Sequence, residues 1–135
     1  MHRMQNTKNY TYLLHCLLLL TFISCKKKED NCITQAPAQV VAITGTHTGQ
    51  VNQPLNLGVS YMTNNGCWQS SELKETITGN EHFIEVKATY KGCVCTLIAG
   101  TIQINYVFTA SQPGTYYLNF WETEDSYLRD TVYIQ

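Results

Sequence analysis

Thr101-Ile102-Gln103-Ile104-Asn105-Tyr106-Val107-Phe108-Thr109-Ala110 is the stretch that decides the fold. Ile102, Ile104, Tyr106, Phe108 and Ala110 fall on one side of this run, while Gln103, Asn105 and Thr109 fall on the other. A side-chain period of two belongs to an extended strand with one buried and one wet face. Outward from it the alternation recurs. Residues 54–62 set Leu55, Leu57, Val59 and Tyr61 against Asn56, Gly58 and Ser60. Residues 83–90 set Ile84, Val86, Ala88 and Tyr90 against Glu85, Lys87 and Thr89. Residues 115–121 turn Tyr116, Leu118 and Phe120 inward, and residues 130–135 turn Val132 and Ile134 inward.

Residues 39–44 make one further run and residues 75–78 another, although Ser71–Glu75 also has the composition of a short helix start. Residues 45–53 read as a turn, 64–66 (Asn-Asn-Gly) as a tight turn, and 122–129 as a polar hairpin loop. Seven β-rich runs with no convincing helix predict an all-β chain folded as a two-layer antiparallel sandwich.

Pro113-Gly114-Thr115-Tyr116-Tyr117-Leu118-Asn119-Phe120 resembles the penultimate strand of immunoglobulin-like modules in bacterial surface proteins. The resemblance implies an immunoglobulin-like β-sandwich of about seven strands. It also implies that the Tyr116 hydroxyl bonds back to backbone at the corner before its strand. Two departures stand beside it. No cysteine pair is placed for the usual bridge between sheets, and Trp68 lies next to Cys67 at a turn. The architecture follows from the resemblance, but no activity does.

The N-terminus carries a different signal. Arg3 and Lys8 precede an apolar stretch over residues 13–23, then come Ser24, Cys25 and Lys26-Lys27-Lys28-Glu29-Asp30. A bilayer span needs about 20 apolar residues, and this stretch is shorter and contains His15. It resembles the signal peptide of a bacterial lipoprotein, with Phe22 where leucine is usual. The resemblance implies a signal peptide over 1–24, a lipidated Cys25 heading a tether over 25–37, and an Ig-like domain over 38–135. It places the protein at the bacterial outer membrane, held through its acyl chains and facing periplasm or cell surface. Lys28-Glu29-Asp30 resembles the sorting signal that sends some Gram-negative lipoproteins to the outer surface.

Cleavage before Cys25 leaves 111 residues (135 less 24), the length of one domain. Seven Lys/Arg then face ten acids, and with basic residues clustered only at Lys26–Lys28 no nucleic-acid surface is expected. Once Cys16 is removed and Cys25 is acylated, Cys32, Cys67, Cys93 and Cys95 remain. An even count in an oxidising compartment predicts two disulfides. Cys93 and Cys95 share a face if extended, so each is expected to reach elsewhere, one to Cys67 and the other to Cys32.

Catalytic raw material is thin. There is no Gly-x-Ser-x-Gly and no His-Glu-x-x-His, and the one-residue spacing of Cys93 and Cys95 suits neither zinc nor a redox dithiol. His82 reads as a solvated histidine at a turn. Glu122, Glu124, Asp125 and Asp130 cluster without the spacing of any known calcium loop. No enzyme, cofactor or metal is therefore expected. Tyr117, Trp121 and Tyr133 alternate away from the core set, with Tyr127 in the loop between, and form the candidate binding surface for a glycan or a protein. The expected function is a non-catalytic, lipid-anchored binding or structural module. The alternative is a small protease inhibitor or folding accessory that presents the loops around Cys67 and residues 92–100.

Overall fold

The computed structural model describes residues 32–135. The signal peptide, Cys25 and the first part of the tether lie outside the described residues. Nine strands follow in chain order: β1 (Ile33–Ala38), β2 (Val40–Gly45), β3 (Thr48–Gly49), β4 (Leu55–Thr63), β5 (Trp68–Thr78), β6 (Glu81–Lys91), β7 (Gly100–Phe108), β8 (Gly114–Thr123) and β9 (Ser126–Ile134). They form a three-stranded sheet, β2-β4-β7, stacked on a six-stranded sheet. In the larger sheet β6 pairs with β5 along one edge. The other edge is shared: β1 takes the later half of β6, and β8 pairs in parallel with Glu81 to Ile84. β9 lies antiparallel to β8, and β3 adds to β9 in parallel.

The alternation read from the sequence is the alternation of burial. Leu57, Val59 and Tyr61 from β4 meet Ile84, Val86 and Ala88 from β6, Leu118 and Phe120 from β8, and Val132 from β9, all fully enclosed. Burial of each large apolar side chain contributes about 1.5–3 kcal/mol, so these rows drive the two sheets together. The Tyr116 hydroxyl donates to the carbonyl of Gln112 at 2.9 Å, which is the corner expected of it.

The structure corrects the sequence reading in several places. Residues 33–37 were expected in the tether, but with Ala38 they form a strand of the domain, so the folded part begins by Cys32 rather than at residue 38. Its apolar content is only Ile33, Ala36, Pro37 and Ala38, too weak to signal a strand. It survives as an edge strand, where Pro37 is tolerated. The expected turn over 45–53 contains β3, and the segment around Ser71–Glu75 is strand throughout, with no helix among the described residues. The expected loop over 122–129 shrinks to Glu124 and Asp125, which puts Tyr127 on β9. Two pairings are parallel, so the sandwich is mixed rather than wholly antiparallel.

The four cysteines form two disulfides, Cys32–Cys93 and Cys67–Cys95. Both hold the loop between β6 and β7, the first to the start of β1 and the second to the turn before β5. Gly92 opens that loop at φ +151°, where a Cβ would come within 2.6 Å of the Cys67 sulfur. Only glycine fits there.

Candidate functional site

The outer face of the six-stranded sheet carries the aromatic residues. The phase that buries Tyr116, Leu118 and Phe120 sends Tyr117 and Trp121 of β8 outward. β9 presents Tyr127, Arg129 and Tyr133 on the same side, because Trp121 pairs with Tyr127 and Asn119 with Arg129 across the ladder. β6 contributes Phe83 and Glu85, and β5 contributes Lys74 and Thr76, since Lys74 lies opposite Glu85 and Thr76 opposite Phe83.

These residues divide into two groups. In the first, Trp121, Tyr127 and Phe83 rim a depression of about 140 Å³ with Lys74, Thr76 and Glu85. Phe83 and Tyr127 meet edge to face, with ring centroids 5.5 Å apart. In the second, the Arg129 guanidinium lies 5.2 Å from the centre of the Tyr117 ring. Its Nε donates to Asn119 Oδ1 at 2.8 Å, and its Nη2 reaches Glu81 at 3.4 Å. Asn119 belongs to the outward phase and yet is buried, with its amide also donating to the His82 carbonyl at 3.4 Å.

Of the three residues singled out in the sequence, the structure therefore brings only Trp121 to the depression. Tyr117 is engaged by Arg129, and Tyr133 is half exposed near the far end of β9, opposite Thr115. Sequence reasoning missed Phe83, Lys74, Thr76 and Glu85. Phe83 was legible by phase, since it precedes the buried Ile84 in an alternating run. Lys74 and Thr76 were not, because nothing local says that β5 lies beside β6.

A second polar cluster lies between the sheets. Glu75 of β5 accepts the Tyr106 hydroxyl from β7, and His82 Nδ1 of β6 stands 2.7 Å from the same carboxylate oxygen. The His82 ring is buried against Phe108 and Tyr116, which it meets edge-on. The expected solvated histidine is thus a core residue. A polar side chain at a buried strand position keeps its place when it finds a partner, and Glu75 is that partner. Burial, then the hydrogen bond to Glu75 and its charge, push the Tyr106 hydroxyl well above the ordinary tyrosine range. Tyr61 also bridges the sheets, donating to Ser71 at 2.8 Å. This cluster braces the sandwich.

The acids around the β8–β9 turn are engaged separately. Ser126 donates to Glu122, and His47 pairs with Asp130 at 3.0 Å. Among the described residues, no group of three or more His, Cys, Asp or Glu is placed to hold a metal ion.

Two stacked sheets with a displayed outer face define a β-sandwich domain. The chain belongs to the family described as the ORF11 beta-sandwich domain, whose model matches residues 57–134, from within β4 to the end of β9. No curated protein and no solved structure matches the chain.

Proposed function

We propose that the protein is a non-catalytic glycan-binding module, lipid-anchored at the bacterial outer membrane through Cys25. The observation that carries the binding role is the depression rimmed by Trp121, Tyr127 and Phe83 beside the Lys74–Glu85 pair. Aromatic rings offer flat apolar area to the C–H faces of a pyranose, and nearby polar groups orient its hydroxyls. The volume is well below the ~300–1,000 Å³ of sites that engulf a drug-sized ligand. It suits one sugar unit of a longer chain that runs across the open sheet. Support for the anchor is the leader itself: the apolar stretch, Ser24, Cys25 and the lysines that follow.

The test is a panel of envelope and host polysaccharides offered to the full chain and to Trp121→Ala, Tyr127→Ala and Tyr133→Ala variants. Binding should be lost in the first two and retained in the third. Undiminished binding by Trp121→Ala dismisses the site.

A further inference from the structure

The loop between β6 and β7 carries an apolar tip that the domain leaves uncovered. Val94 is 95% exposed, Leu97 96% and Ile98 69%. Apolar side chains this bare are unusual in a loop this well held. Cys93 and Cys95 tie it to Cys32 and Cys67, the Gly66 N–H donates to the Thr96 carbonyl at 2.9 Å, and the Gly92 N–H donates to the Cys32 carbonyl at 2.8 Å. The fold pins the loop and holds its side chains out.

The position of the loop says what would cover them. The Cys32–Cys93 bridge fixes the tip beside the point where the tether enters the domain. Cys25 is seven residues upstream, and seven extended residues reach at most ~25 Å. Charge agrees. Residues 32–36, 63–71 and 88–103, which build this end of the sandwich from the level of Ala88 outward, contain no Asp or Glu and include Lys91, with Ile33 paired beside it and also exposed. The nearest acid on the strands is Glu72, one step further in, and the tether that enters here carries Lys26, Lys27 and Lys28 against Glu29 and Asp30. An uncharged apolar tip with a basic neighbour fits the interface of an anionic bilayer, where apolar side chains enter the acyl boundary and lysines stay among the headgroups.

We infer that Val94, Leu97 and Ile98 insert into the bilayer that holds the Cys25 anchor, so that the domain stands on its disulfide-pinned end. The inference rests on the lipid-anchored reading. It turns a freely swinging domain into one with a fixed orientation, in which the strands rise from the membrane.

The test uses the full chain carrying Leu97→Trp, reconstituted in vesicles of phosphatidylethanolamine and phosphatidylglycerol. Its emission, after subtraction of the parent protein's, should shift to the blue and be quenched by brominated acyl chains. Adding Val94→Asp and Ile98→Asp should abolish both effects. A Val107→Trp probe, near the other end of β7 and also exposed, should stay wet. A Leu97→Trp indole that keeps the emission of a water-exposed side chain and escapes quenching overturns the inference. So does one that shifts only when proteases are added without lipid, which would return the loop to the inhibitor reading. The intact mass of the same preparation judges the anchor separately: loss of residues 1–24 with acyl groups gained supports it, and an unmodified chain sinks it whatever the loop does.

Discussion

Tyr106 of the three-stranded sheet donates its hydroxyl to Glu75 of the six-stranded sheet, on the carboxylate oxygen that also faces His82. β5 and β7 are edge strands of their sheets, so this contact closes one open side of the sandwich. Apolar packing is thinner there: Ile102, Ile104 and Leu73 are only partly buried. The polar bridge does what the core rows cannot do at an edge.

The Tyr106 proton should therefore be hard to remove. A tyrosine whose folded pKa is raised adds stability that is complete below the unfolded value of ~10 and is lost as pH rises above it, because the unfolded state then releases a proton the native state keeps. In a phenolate absorbance titration, Tyr106→Phe should leave the native-state steps unchanged and remove one tyrosine only from the amplitude released on alkaline unfolding. The same variant should lower stability at neutral pH by about 1 kcal/mol, below the ~1.5–3 kcal/mol of a buried bond to a charged group because Glu75 is partly wet. Urea unfolding measures it.

Arg129 should matter for folding more than its exposure suggests. Removing its side chain leaves the buried Asn119 Oδ1 without the 2.8 Å partner it has now. A buried acceptor left unpaired costs about 1–3 kcal/mol. Arg129→Ala should lower the midpoint of urea unfolding accordingly, and in a double-mutant cycle with Asn119→Ala the two losses should not add.

The disulfides should contribute unequally. Cys32–Cys93 closes a sequence separation of 61 and Cys67–Cys95 one of 28. Chain-entropy arguments then give about 4 kcal/mol for the first and about 3.5 kcal/mol for the second. Paired Cys→Ser replacements should both lower Tm, the Cys32/Cys93 pair more. Gly92→Ala should reduce the yield of correctly bridged protein seen by non-reducing peptide mapping, because its Cβ would press on the Cys67 sulfur.

Most of the core was legible in the sequence, because β4, β6, β7 and β8 bury every second residue and period two is a local property. The fold's borders were not. β1 has Thr, Gln and Pro where a strand signal would need branched apolar residues, and only its pairing with β6 makes it a strand. β5 has one apolar side chain, Leu73, on its buried face between Trp68 and the polar end, so its eleven residues looked divided between helix and strand. The disulfide partners were restricted to two pairings by the placement of Cys93 and Cys95, and the fold selected one. The candidate site was half visible. The outward phase of Trp121 and Phe83 came from alternation, whereas their meeting, and the arrival of Lys74 and Glu85 beside them, follow from strand order, a long-range property that no local pattern carries.

Trp121 is the residue on which the glycan site depends. The chain has two tryptophans, and Trp68 is partly buried against the core, away from the residues that line the depression. Two indole N–H signals in a nitrogen–proton correlation spectrum therefore report the two places independently. Titration with the polysaccharide selected from the panel should move the Trp121 signal in a saturable way and leave the Trp68 signal in place. A bound polysaccharide that leaves the Trp121 signal unmoved would contradict the assignment of the outer face as the glycan site.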